Sequence, residues 1–120
     1  MSVWTPFTYN TGWSDFTGFG LNGGAYKLDG DRVWFRGTIT QSGLSGSFPF
    51  TIATVGANFV PYRKPVFCVA CFDFSSSGAP TKLCVLSVDS SGNVNFEGPS
   101  LPDATTPGLC LDGLSYSTLA

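Results

Sequence analysis

The chain has 120 residues, 42% of them apolar and 12% charged, with a formal net charge of −2. That length allows one core and no second domain, and eleven Phe, three Trp and four Tyr beside so few charges exclude a disordered chain. Six basic residues against eight acidic ones build no phosphate-tracking groove, so no nucleic-acid partner is expected.

The start, Met1-Ser-Val-Trp4, carries no basic region ahead of an apolar core. No apolar run approaches the ~20 residues of a membrane helix, so neither a leader nor a membrane partner is expected. No segment has apolar spacing of three and four residues long enough for a helix, and fifteen Gly and eight Pro punctuate the chain. The expected fold is all-β, an antiparallel β-sandwich or jelly roll forming a single domain over residues 1–120. Strands are expected near Val3–Tyr9, Gly24–Leu28, Arg32–Thr40, Phe48–Ala53, Val66–Phe74, Lys82–Val88, Val94–Glu97 and Leu114–Thr118. Gln41–Ser47 and Ser75–Pro80 are expected loops, and Asp89–Asn93 a hairpin turn.

The strongest local signal runs from Tyr26 to Gly37. Alternating residues flank an Asp29-Gly30 pair that accepts positive φ, which predicts a β-hairpin. If Val33, Phe35 and Gly37 point to one face, Trp34 and Arg36 point to the other, away from the domain's core. Trp34 is therefore the better interface or ligand candidate, while Trp4 and Trp13 are expected to close the ends of the core. Farther on, Val66, Cys68, Ala70 and Phe72 share one strand face, and Phe67, Val69 and Cys71, also apolar, share the other. Leu83-Cys-Val-Leu86 repeats the pattern. An antiparallel sheet in a monomer usually leaves one face polar, so the surplus predicts burial against other subunits, with Phe67 and Val69 as candidates. A strand covered by its own long loop is the alternative.

Three motifs have plainer explanations. Gly18-Phe-Gly20-Leu-Asn-Gly23 matches the dinucleotide fingerprint in letters, but a hairpin follows where the motif needs a helix, so no such cofactor is expected. Cys68-Val-Ala-Cys71 has metal-knuckle spacing, with Cys84 and Cys110 as further ligands. Strand-forming residues between the two would send their sulfurs to opposite faces about 10 Å apart, so no metal is expected. The four cysteines are expected to be free, buried thiols. The chain has no His, which removes imidazole-based catalysis. Asp29, Asp31, Asp73, Asp89 and the single Glu97 leave carboxylate chemistry open, but Asp is the ordinary residue of turns, so no enzyme is expected.

Trp4, the Asn10-Thr-Gly-Trp13 turn, Tyr26 leading through Asp29-Gly-Asp31 into Val33-Trp-Phe-Arg-Gly37, then Pro61-Tyr-Arg63-Lys-Pro65, Ser91-Gly-Asn93-Val94 and Leu111-Asp-Gly-Leu-Ser-Tyr116 occur in a telling order. Over nearly its whole length the chain resembles the trimeric jelly-roll head domains of tailed-phage virion proteins, found at the tips of tail fibres and baseplate receptor-binding proteins. It departs at Val55-Gly-Ala-Asn-Phe-Val60, where that family carries a Leu-Pro pair. The resemblance implies a non-catalytic homotrimer, assembled in the host cytoplasm with reduced thiols and displayed on the virion surface, with Arg63 as a further contact candidate. Such heads usually follow a shaft or attachment module, whereas here the head pattern begins by Trp4. A free-standing trimer suits a threefold depression on a shell, so a capsid decoration or cement protein held by the major capsid protein is expected. A receptor-binding head contacting host surface glycan is the alternative, and a stand-alone carbohydrate-binding module the third.

Overall fold

The structure is a computed structural model and describes residues 3–10, 12–17, 22–41, 50–73, 80–98 and 107–119. Its strands are β1 (Thr5–Pro6), β2 (Thr8–Tyr9), β3 (Trp13–Asp15), β4 (Ala25–Asp29), β5 (Arg32–Arg36), β6 (Thr38–Gln41), β7 (Phe50–Thr54), β8 (Val66–Asp73), β9 (Pro80–Val88), β10 (Asn93–Gly98), β11 (Pro107–Cys110) and β12 (Ser115–Ser117), with a 3₁₀ turn at Ala57–Phe59. They form a small sheet of order β1-β4-β5-β12 and a large one of order β2-β7-β10-β9-β8-β11-β6-β3, and the pairings are antiparallel. The fold is the expected all-β antiparallel sandwich.

Two expected strands are each divided between the sheets. Val3–Tyr9 gives β1 to the small sheet and β2 to the large one, with buried Phe7 as the corner. Arg32–Thr40 is divided at Gly37, which has φ +97° and lets β5 turn into β6 of the opposite sheet. The Gly37 N–H donates to the Asp112 carboxylate at 2.7 Å, and its carbonyl accepts from Leu111 N–H at 2.8 Å. β3 and β11 were not expected; each is too short to show a period of its own. Gln41 ends β6 and Pro80 opens β9, while the rest of both expected loops, residues 42–47 and 75–79, lies outside the described residues. So do residues 18–21 of the glycine motif, and Gly23 beyond them precedes a strand, not a helix.

Between the sheets lies one apolar layer. Val33, Phe35, Ile39, Ile52, Leu86, Val88, Val94, Phe96, Leu109 and Leu111 are fully buried, and each large side chain contributes about 1.5–3 kcal/mol by leaving water. Phe35 is its hub, meeting Phe7 edge-on at 5.0 Å and Tyr116 edge-on at 5.7 Å. The Val55–Val60 segment, where the resemblance departs, is tied down from the small sheet. Tyr26 Oη accepts from Gly56 N–H at 3.1 Å, and the Tyr116 hydroxyl donates to the Phe59 carbonyl at 2.6 Å. Burial, and the neighbouring Tyr26 after it, push the Tyr116 phenol up, which keeps that proton in place.

The cysteines correct one expectation. Cys71 and Cys84 are joined by a disulfide, while Cys68 is an exposed free thiol and Cys110 a half-buried one. The register explains it: Val69 lies opposite Cys84 and Cys71 opposite Lys82, so the two cysteines are diagonal neighbours on the inner face with Cα atoms 6.4 Å apart, within bridging range.

The Asp89 turn forms as expected. Burial disfavours ionisation of its carboxylate, but hydrogen bonds from Asn93 first, then Asn95 and Ser91, outweigh that and hold it below its ordinary 3.8.

Candidate functional site

The period of two along β5 places Trp34 and Arg36 on the outer face of the small sheet while Val33 and Phe35 enter the core. Gly30, at φ +65°, closes the hairpin so that Asp29 pairs with Arg32 and Lys27 lies directly opposite Trp34. On the other side of β5, Ser115 faces Trp34 and Ser117 faces Arg32. This outer face thus carries Lys27 and Asp29 from β4, Arg32, Trp34 and Arg36 from β5, and two serines from β12.

Trp4 completes the site, and here the expectation that it closes the core is corrected. Its ring lies over the outer face, with Lys27 Nζ 4.8 Å and the Arg36 guanidinium 4.5 Å from its centroid. Cation–π attraction of this kind contributes about 0.5–1 kcal/mol at an exposed site. Trp13, by contrast, is buried against Phe96 as expected. Between Trp4 and Trp34 runs a groove of about 350 Å³, lined also by Lys27, Asp29, Arg36 and Gly113. Trp34 remains 37% exposed, with the Arg32 guanidinium 6.0 Å from its ring. Arg36 Nε is buried with no hydrogen-bond partner among the described residues, an arrangement unusual enough to call for one from a ligand or water.

A second hollow, of about 290 Å³, opens beside β12, where Tyr62, Arg63, Ser115, Ser117 and Leu119 line it. The Arg63 guanidinium lies over the exposed Tyr62 ring, 5.6 Å from its centroid. Ser115 belongs to this hollow and is also the ladder partner of Trp34 in the groove, so the two depressions adjoin on one face. Its Oγ accepts from Arg32 Nε at 2.9 Å.

Phe67 and Val69 do not belong to this surface. Val69 is a core residue, and Phe67 packs against Phe35 at 6.5 Å, so both point inward. The outward apolar face of β8 and β9 is the other one. Val66 and Leu83 are 65% and 67% exposed, and exposed Cys68 lies between them in the ladder opposite Val85. The sequence showed that both faces of β8 were apolar, but not which one the core would take.

Asp15 and Glu97 are held by contacts within the fold. Asp15 accepts from the Tyr9 hydroxyl and from Gly24 N–H, and burial first, then Asp15, pushes the Tyr9 phenol far up. Glu97 accepts from Ser87 Oγ at 2.7 Å and pairs with Lys64 at 3.3 Å. Asp29 is the one acid lining the groove among the described residues. What the face offers is flat aromatic rings beside hydrogen-bond donors, the chemistry of saccharide stacking.

No family model and no curated protein matches this chain. Among solved structures, it is similar to the receptor binding protein of Listeria phage PSA, with a TM-score of 0.69 and 18% identity over 100% of this chain and 67% of that one. The two-sheet sandwich that carries the groove is thus an architecture shared with a phage receptor binding protein.

Proposed function

We propose that this chain is a trimeric head on the surface of a tailed-phage virion, assembled in the host cytoplasm, that binds host surface glycan without catalysis and without a cofactor. The observation that carries this is the groove between Trp4 and Trp34, which places two indole rings and several donors on one exposed face. The fold shared over the full chain with the Listeria phage receptor binding protein supports the virion setting and favours reception over capsid decoration. Trimer formation is supported by the apolar outer face of Val66, Cys68 and Leu83, which a neighbouring copy of the chain would cover. Threefold repetition would raise the avidity of a weak saccharide site without any new contact.

One mixing experiment tests the role. The purified chain is offered host cells and, separately, purified phage capsids. Adsorption to cells and competition with infection are expected. Binding to capsids alone, with a gain in their heat resistance, would instead support decoration through the major capsid protein.

A further inference from the structure

Resting on the receptor-binding role, we propose that the glycan is anionic, bearing carboxylate or phosphate groups, and that it lies across the small sheet from the Trp4–Trp34 groove to the Tyr62–Arg63 hollow. The chain has six basic residues and a net charge of −2, yet Lys27, Arg32 and Arg36 stand on this one face and Arg63 lines its continuation. None of these four forms an ion pair with a described residue; the ion pair among the described residues is Lys64–Glu97, and Lys64, which lines the hollow beside Arg63, has its charge answered there. Gathered cations repel one another, and an anion laid among them relieves that repulsion.

Their contacts leave them free to receive it. The Arg36 and Arg63 guanidinium groups lie over the Trp4 and Tyr62 rings at 4.5 and 5.6 Å, and a contact with a ring consumes none of the five N–H donors that each fork offers to oxygen acceptors. Arg36 Nε is already buried without a hydrogen-bond partner among the described residues. Trp34 and Tyr62, 37% and 55% exposed, offer flat rings beside these donors, one in each depression. Rings that stack sugar and forks that grip anions therefore alternate along the face, Trp34 with Arg36 and Tyr62 with Arg63. Asp29 in the groove disfavours an anion at that one end and so biases its placement toward Arg36.

The test titrates the full chain with three probes followed by tryptophan fluorescence: oligogalacturonate, its neutral methyl ester, and a glycerol-phosphate oligomer. The two anionic probes should bind at least about tenfold more tightly than the ester, and the advantage should shrink as salt is raised. Arg36→Gln and Arg63→Gln should each weaken the anionic probes about three- to tenfold with the fold unchanged by circular dichroism, and Lys27→Gln serves if Arg36→Gln does not fold. Trp34→Ala should weaken all saccharide probes. Equal binding of the ester, or full affinity in both arginine variants, would overturn the proposal, and adsorption to host cells would then leave the receptor role standing. Anionic binding by a chain that ignores host cells would instead retain the anion site and remove the receptor role.

Discussion

Gly37→Ala is the substitution that most directly tests how the chain moves from one sheet to the other. At φ +97° any L side chain is strained by about 1–2 kcal/mol. A Cβ there would also overlap the Gly23 carbonyl group and lie 2.8 Å from Gly24 Cα. These are backbone atoms, and they are held. Asn22 O accepts from Thr38 N–H at 2.8 Å, and Gly24 N–H donates to Asp15 at 2.9 Å. Moving the segment aside would loosen both bonds, at about 1 kcal/mol each. The expected loss is therefore about 3–4 kcal/mol, a large share of a typical domain's stability. Gly30→Ala is the control, since φ is +65° there and nothing lies within 4 Å, so only the conformational cost of about 1 kcal/mol applies. Urea unfolding followed by tryptophan fluorescence measures both, at matched protein concentration because oligomers gain stability by mass action. Equal losses for the two variants would refute the claim that close approach to Gly23 sets the crossing.

Leu83→Asp and Val66→Asp place charge on the exposed apolar face and should convert the proposed trimer to monomer in light scattering with little change in β-sheet signal; a trimer unaffected by both would put the interface elsewhere. Replacing Cys71 and Cys84 together by Ala should cost about 3 kcal/mol and lower the melting temperature, because the bridge closes a loop with a sequence separation of 13; unchanged melting would mean the bridge constrains nothing. On acidification, Asp89 and Glu97 should both contribute to a loss of stability. Their folded values lie below the ordinary 3.8 and 4.5, Glu97 chiefly through Ser87, so what they contribute is present above those values and is lost as pH falls through the folded ones. Both lie near the surface, so the effect should be small and reduced by salt; Asp89→Asn should flatten the acid limb of a melting profile, and an unaltered limb would contradict the assignment.

The hairpin was legible in the sequence because its determinants are local. A period of two and a glycine at the turn suffice to put Val33 and Phe35 inside and Trp34 and Arg36 outside, whatever the rest of the chain does. The turn at Asp89 was legible for the same reason, as its carboxylate is satisfied within six residues. Other features depended on what arrives from elsewhere. β8 is apolar on both faces, and only the docking of the Phe35 hub selects Phe67 and Val69 as the buried side and leaves Val66 and Cys68 outside. The bridge between Cys71 and Cys84 follows from the register of β8 on β9, which the spacing of cysteines in the chain does not encode. Trp4 shows the difference most clearly. As a letter near one end it suggested a core plug, but its place is set by Lys27 and Arg36, which reach it only once β4 and β5 have paired. Local periodicity decides which way a side chain points from its own strand; only the assembled sheets decide what it meets there.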